Sequence, residues 1–285
     1  MIEVLSPGPF TTVQDLGRPG YAALGVSPSG AADRSSLRLA NRLVGNDETA
    51  AGLEMTFGGL HARIHALTTV ALTGAPCAAF LDGRGIGMNG PIFVRPGQQL
   101  RIGTPPRALR TYLAVGGGLD VPPVLGSRST DVLSGLGPAV LTAGTRLPIG
   151  VRSARFPNVD LAPTRSYTDT PTLDILPGPR DDWFTAEALA ALCSAAYQVT
   201  KDSNRIGARL HGPVLARAAE QELPSEPTVR GALQVPPGGQ PVLFLADHPV
   251  TGGYPVIAVV AERDVDRAAQ LRPGDGVRFR ATRTP

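Results

Sequence analysis

Glycine and proline together fill about one position in five, 34 and 28 of 285 residues, with no collagen-like period. A chain interrupted this often cannot sustain many long helices, because proline removes a backbone donor and glycine weakens a helix interior. Short strands joined by tight turns remain. The apolar runs fit that expectation: Leu53–Phe57, Val70–Thr73, Ile92–Val94, Leu100–Ile102, Thr111–Val115, Leu173–Leu176, Val242–Ala246, Val256–Val260 and Val277–Arg280 are spaced as a barrel or sandwich spaces its strands. No helices of 10–15 residues alternate with them, which argues against a doubly wound parallel sheet.

Two helices are nevertheless legible. Asp33 can cap one that runs to about Val44, with Leu37, Ala40 and Val44 on one face and Gly45 in the stop position. Thr185 can cap a second that runs to about Ala196, through the alanine-rich TAEALAALCSAA.

At 285 residues the chain exceeds the usual single core of about 100 to 150 residues. Two domains, 1–150 and 171–285, are expected around a linker at about 150–171, where Pro, Ser, Thr and Asp occur without periodicity. An internal echo supports two halves: VRPGQQLRI at 94–102 returns as LRPGDGVRF at 271–279. Pro followed by Gly suits the centre of a type II turn.

Charge and composition remove several functions. Charged residues are 18% of the chain, the formal net charge is +3, and Lys201 is the sole lysine, so a basic stripe for nucleic acid is missing. No GxxxxGK[ST] phosphate loop, GxSxG elbow, HExxH pair or Met-Lys biotin acceptor occurs. No apolar run reaches the ~18 residues of a membrane span. The start MIEVLSPGPF does not read as a signal peptide, and a cytoplasmic setting is expected. Cys77 and Cys193, the two cysteines, are expected as buried thiols, Cys77 in a strand-like stretch.

Four glycine-punctuated segments concentrate polar side chains. The first holds Asp15, Arg18, Ser29, Asp33 and Arg34. A loop entering a helix N-terminus can present N–H groups to an anion, and Arg18 or Arg34 can fork onto phosphate or carboxylate; equally, Arg18 can pair with Asp15 while Arg34 is solvated. The second follows Gly116–Gly118, which permit close approach of a ligand or another backbone, and reads Ser127-Arg128-Ser129-Thr130-Asp131. It suits a binding segment or an exposed loop. The third is Ser203-Asn204-Arg205 with Arg209, and the fourth ends a strand in Asp247 and His248 before Thr251-Gly252-Gly253-Tyr254. His248 could act as a base near neutral pH. Adjacent residues on a strand point to opposite faces, so Asp247 is poorly placed to orient it.

In this order TTVQDLGRPGY, SGAADRSSLRLANRLVGN, LEMTFGG, YLAVGGGLDVPPVLGSRSTD, SNRIGARLHGP, GALQVPPGGQPVLFLAD and TGGYPVIA resemble the biotin-dependent carboxyltransferase family, also called allophanate hydrolase subunit 2. That family includes the C component of bacterial 5-oxoprolinase and the matching part of urea carboxylase. The resemblance spans nearly the whole chain. It implies a mainly β fold of two cyclophilin-like β-barrel domains with a few short helices, working beside a subunit-1 partner. It further implies one of three functions. The first is a subunit of an ATP-dependent cyclic-amide hydrolase opening 5-oxo-L-proline to L-glutamate, with ATP and Mg2+ engaged by the complex. The second is a carboxyltransferase acting on urea or a related amide, with biotin carried by another chain. The third is a regulatory partner of a kinase-inhibitor-like subunit 1.

Two departures from the family pattern stand out. Asn204 occupies the place of an acidic residue in the usual SDRMG, and His248-Pro249-Val250 replaces the usual approach to Thr251. The expected catalytic residues are Arg128, Arg205, Asp247 and His248. The expected binding residues are Arg18, Ser29, Arg34, Ser127, Ser203, Arg209, Gln234 and Tyr254, with no metal ligands, all gathered at one site at the domain junction.

Overall fold

The computed structural model describes residues 1–152, 159–218 and 221–282; residues 153–158 of the expected linker lie outside the described residues. The chain divides into two units. The first comprises Met1–Arg18, Ser29–Asp131 and Gly135–Ser166, and the second Pro19–Pro28, Val132–Ser134 and Tyr167–Pro285. The fold is mainly β, with three α-helices among the described residues. None of these is long and apolar enough to cross a membrane.

In the first unit two sheets share one core. The six-stranded sheet runs in the order Arg146–Leu147, Ile2–Ser6, His61–Ile64, Gln99–Ile102, Ala79–Leu81, Arg84–Ile86. Buried and exposed residues alternate along His61–Ile64 and Gln99–Ile102, as period-2 strands with one wet face require. The five-stranded sheet runs Phe10–Gln14, Gly52–Thr56, Arg110–Val115, Thr68–Gly74, Ile92–Val94. Ile2, Val4, Ile64 and Leu100 from one sheet pack with Leu53, Met55, Val70 and Leu113 from the other.

Arg110–Val115 is buried along its whole length because its outer face is also covered. Helix α1, Arg34–Leu43, places Leu37 against Tyr112 and Ala40 and Leu43 against Ala71 and Ala114. Its start follows the sequence expectation: Asp33 accepts the Ser36 N–H at 3.0 Å, and the chain leaves the helix through Gly45 at φ 76°.

The second unit contains a closed barrel of seven strands: Thr172–Pro177, Val256–Val260, Ala232–Gln234, Val242–Phe244, Gly207–His211, Ala196–Val199 and Gly276–Ala281. Its pairings are antiparallel except the closing one, where Thr172–Pro177 runs parallel to Gly276–Ala281. Helix α2, Ala186–Ser194, is capped by Thr185 as expected. Helix α3, Glu262–Ala268, was not expected; its charged sequence ERDVDRA hides a short apolar face of Val265 and Ala268.

The echo is structural. In both halves the residue after the glycine donates to the carbonyl of the arginine before the proline: Gln98 N–H to Arg95 O at 3.2 Å, Asp275 N–H to Arg272 O at 3.0 Å. The glycines stand at φ 88° and 96°, the positive φ a type II turn needs. Each turn is also closed alike by the side chain of its own last residue. Gln98 Oε1 accepts the Arg95 N–H and Asp275 Oδ2 the Arg272 N–H, each at 2.8 Å. The turn backbones pair in both directions with Ile64 and with Val199.

The cysteines depart from expectation. Cys77 lies half-buried in the loop between Thr68–Gly74 and Ala79–Leu81, and Cys193 is exposed on α2. On so short an amphipathic helix, position 193 falls on the wet side.

Candidate functional site

The four glycine-punctuated segments fold into two polar constructions, one within each unit. In the first unit Asp15 is the hub. Its carboxylate accepts from the Ser127 and Ser129 hydroxyls at 2.7 and 2.6 Å, from the Gly17 N–H at 2.7 Å and from the Arg128 N–H at 2.6 Å. The Ser127–Asp131 run is therefore buried, contrary to an exposed loop. Neighbouring Gly117 approaches backbone, not ligand space: a Cβ there would lie 2.3 Å from Gly150 O.

Asp15 does not pair with Arg18. The Arg18 guanidinium, 1% exposed, donates to Ser129 O and stands 3.9 Å from Asp131. Of Arg128, only the backbone meets Asp15; its side chain donates to Val121 O and Asp120, each at 2.8 Å, near the surface. Ser29 donates to Thr130 O at 3.3 Å, and Arg34 is the first residue of α1.

Behind the N-terminus of α1 lies a network that sequence reading missed. Glu54 accepts the Ala32 N–H at 2.9 Å and the Tyr112 hydroxyl at 2.8 Å, and faces Arg110 at 3.4 Å. Tyr112 in turn accepts the Asp33 N–H at 2.8 Å. Burial, reinforced by Glu54, pushes the Tyr112 phenol well above its ordinary range. The signal available was a glutamate at the centre of the strand GLEMT, Gly52–Thr56.

In the second unit Arg205 and Asp247 form a two-bond fork, Nε to Oδ2 and Nη2 to Oδ1, both 2.9 Å and both residues nearly fully buried. Asp247 also accepts the Val132 N–H at 3.1 Å. The strand ends at Phe244, so Asp247 and His248 lie in the turn that follows it, and His248 turns elsewhere. Its Nδ1 lies 2.7 Å from Pro249 O and 3.3 Å from the Thr228 hydroxyl, with its ring stacked on Phe244 at 6.0 Å between centroids.

Ser203 and Arg209 meet across a hairpin, where Arg209 N–H donates to Ser203 Oγ at 3.0 Å. Asn204 Oδ1 accepts the Ile206 N–H there at 2.8 Å, a turn that Asn and Asp close equally well. The departure at 204 thus keeps the local fold while giving up a charge.

Gln234 and Tyr254 also come together, Gln234 Nε2 donating to Tyr254 O at 3.1 Å. Tyr254 borders a cavity of about 630 Å³ in the second unit. Arg217, which sequence reading also missed, lines the same cavity with its guanidinium 6.0 Å from the centre of the Tyr254 ring. Among the described residues no three His, Cys, Asp or Glu side chains cluster as a metal site.

Residues 24–281 match the family described as carboxyltransferase domain, subdomain A and B. The chain is 39% identical to the C component of 5-oxoprolinase from Escherichia coli K12, covering 98% of this chain and 90% of that one. It is 37% identical to the urea amidolyase of Lachancea kluyveri over 97% of its own length but only 17% of the relative's. The crystal structure of Kluyveromyces lactis urea amidolyase superposes with a TM-score of 0.91 at 34% identity, over 98% of this chain and 18% of that one.

Proposed function

The chain belongs to the carboxyltransferase domain family, subdomains A and B, and from that premise we propose that it is one subunit of a 5-oxoprolinase-type amidohydrolase. The observation that carries this reading is mutual coverage: the correspondence with the 5-oxoprolinase C component takes in 98% of one chain and 90% of the other. In the proposed reaction ATP phosphorylates the lactam oxygen of 5-oxo-L-proline, and water then opens the ring to L-glutamate, releasing ADP and phosphate. Such chemistry depends on positioning and on stabilising phosphate charge. ATP and its Mg2+ are assigned to the complex, since nucleotide-bound Mg2+ takes only one or two protein carboxylates beside its phosphates and waters.

Within this chain Arg205 and Asp247 neutralise one another, so their proposed part is to hold the turn that carries His248. Arg128 and Ser127 are proposed to fix the loop around Asp15 in the same sense. The partner is a subunit-1 protein of the same system. The test is co-purification with the product of a neighbouring subunit-1 gene, followed by assay of ATP-dependent glutamate release. Absence of both association and release would contradict the reading.

A second reading, transfer of a carboxyl group from a carboxybiotin on another chain to urea or a similar amide, is favoured by the close superposition on urea amidolyase. Bicarbonate- and biotin-dependent consumption of urea by the same complex would select it.

A further inference from the structure

The cavity beside Tyr254 is lined by Arg217. Among the described residues the buried arginines face carboxylates: Arg18 faces Asp131, Arg110 Glu54 and Arg205 Asp247; half-buried Arg230 faces Asp266. Arg217, half-buried, has no carboxylate within ion-pair distance among the described residues. Its Nη2 donates to Val235 O at 2.5 Å and its guanidinium carbon stands over the Tyr254 ring at 6.0 Å, which fixes the guanidinium without an ion pair among the described residues. Taking a cation partly out of water without an anion is unfavourable unless a ligand completes the pair.

The rest of the cavity defines that ligand. Its volume, about 630 Å³, lies in the range of small-molecule sites. Val214, Leu215, Leu223 and Pro237 supply an aliphatic wall. Glu222 also lines it, and an acid there repels a second negative charge while offering an acceptor to an N–H. We propose that this cavity binds a small monocarboxylate, its anionic end forked by Arg217, its flat body on Tyr254 and the aliphatic wall, and an N–H toward Glu222. The choice of a lactam acid as probe rests on the 5-oxoprolinase reading; the carboxylate requirement does not.

The experiment titrates the full chain, alone and with its subunit-1 partner, with three ligands: 5-oxo-L-proline, pyrrolidinone (the same lactam without the carboxylate) and cyclopentanecarboxylate (the acid without the lactam). Both acids are expected to bind and pyrrolidinone not to. Arg217→Gln is expected to weaken the acids by about 10- to 150-fold, the range of a lost charge-assisted contact, with an unchanged melting temperature. Arg217→Lys, which keeps the charge but not the fork, should fall between, and it carries the test if the Gln variant does not fold. The proposal is overturned if pyrrolidinone binds as tightly as 5-oxo-L-proline, if neither acid binds, or if binding ignores substitution of Arg217. Arg217-dependent binding of cyclopentanecarboxylate without binding of 5-oxo-L-proline would uphold the carboxylate site and overturn the 5-oxoprolinase reading instead.

Discussion

At Arg205 and Asp247 two charges have left water together, and neither can be removed alone without stranding the other. Arg205→Ala is expected to destabilise the chain by about 3 to 5 kcal/mol in denaturant titration, the usual cost of breaking a buried pair from one side. Arg128→Ala should cost no more than about 1 kcal/mol, because its side-chain pair with Asp120 is largely exposed and its backbone bond to Asp15 survives. Equal losses at the two positions would show that burial is misjudged. These residues were singled out by the sequence as polar groups in glycine-rich settings, but their partners were not legible. Asp15 and Ser127 are 112 positions apart, and only the fold brings them together. Arg217 was missed because nothing local marks which arginine lines a cavity.

Asp174 adds a pH dependence at the same scale. Hydrogen bonds from Arg263 and then Arg280 hold its carboxyl below the ordinary carboxylate value. A depressed folded pKa contributes stability that is present above the unfolded value and is lost as pH falls through the folded one. Melting temperatures of the parent should therefore fall more steeply than those of Asp174→Asn between about pH 5 and pH 2. Parallel curves would count against this.

At the scale of elements, the twin turns make a matched pair of tests. Gly97 and Gly274 both have positive φ and nothing within 4 Å of a built Cβ, so substitution meets strain without collision. Gly97→Ala and Gly274→Ala should each cost about 1 to 2 kcal/mol, and similar amounts. Gly117→Ala, driven into the Gly150 carbonyl, should cost more than either. Turn chemistry of this kind is legible because Pro and Gly act locally, as is the capping of α1 and α2 by Asp33 and Thr185. Helix α3 was not, since seven residues give too short a period to separate an amphipathic face from a charged loop.

The Tyr112 network belongs to this scale too. Its raised phenol pKa leaves stability intact below the unfolded tyrosine value of 10.0 and erodes it as pH climbs from there toward the folded one. Tyr112→Phe should lose about 1 to 3 kcal/mol at neutral pH, by stranding the Asp33 N–H, and should show a shallower alkaline decline. A variant with an unchanged alkaline slope would place the titrating group elsewhere.

At the scale of the whole molecule, the turn-rich composition pointed to a mainly β chain with few helices, and the internal echo to related halves. The closing parallel pair of the barrel could not be read, because strand direction depends on partners a hundred positions away. The proposed function is a property of the assembly: this chain, with polar loops but no complete nucleophile–base set, is expected to be inactive by itself. The most direct measurement is the stoichiometry of ADP and glutamate when chain and subunit-1 partner, separately and together, are given ATP and 5-oxo-L-proline. Equal amounts of both products from the mixture, and none from either part alone, is the expected result. Glutamate from the isolated chain, or ADP release that requires biotin, bicarbonate and urea instead, would contradict it.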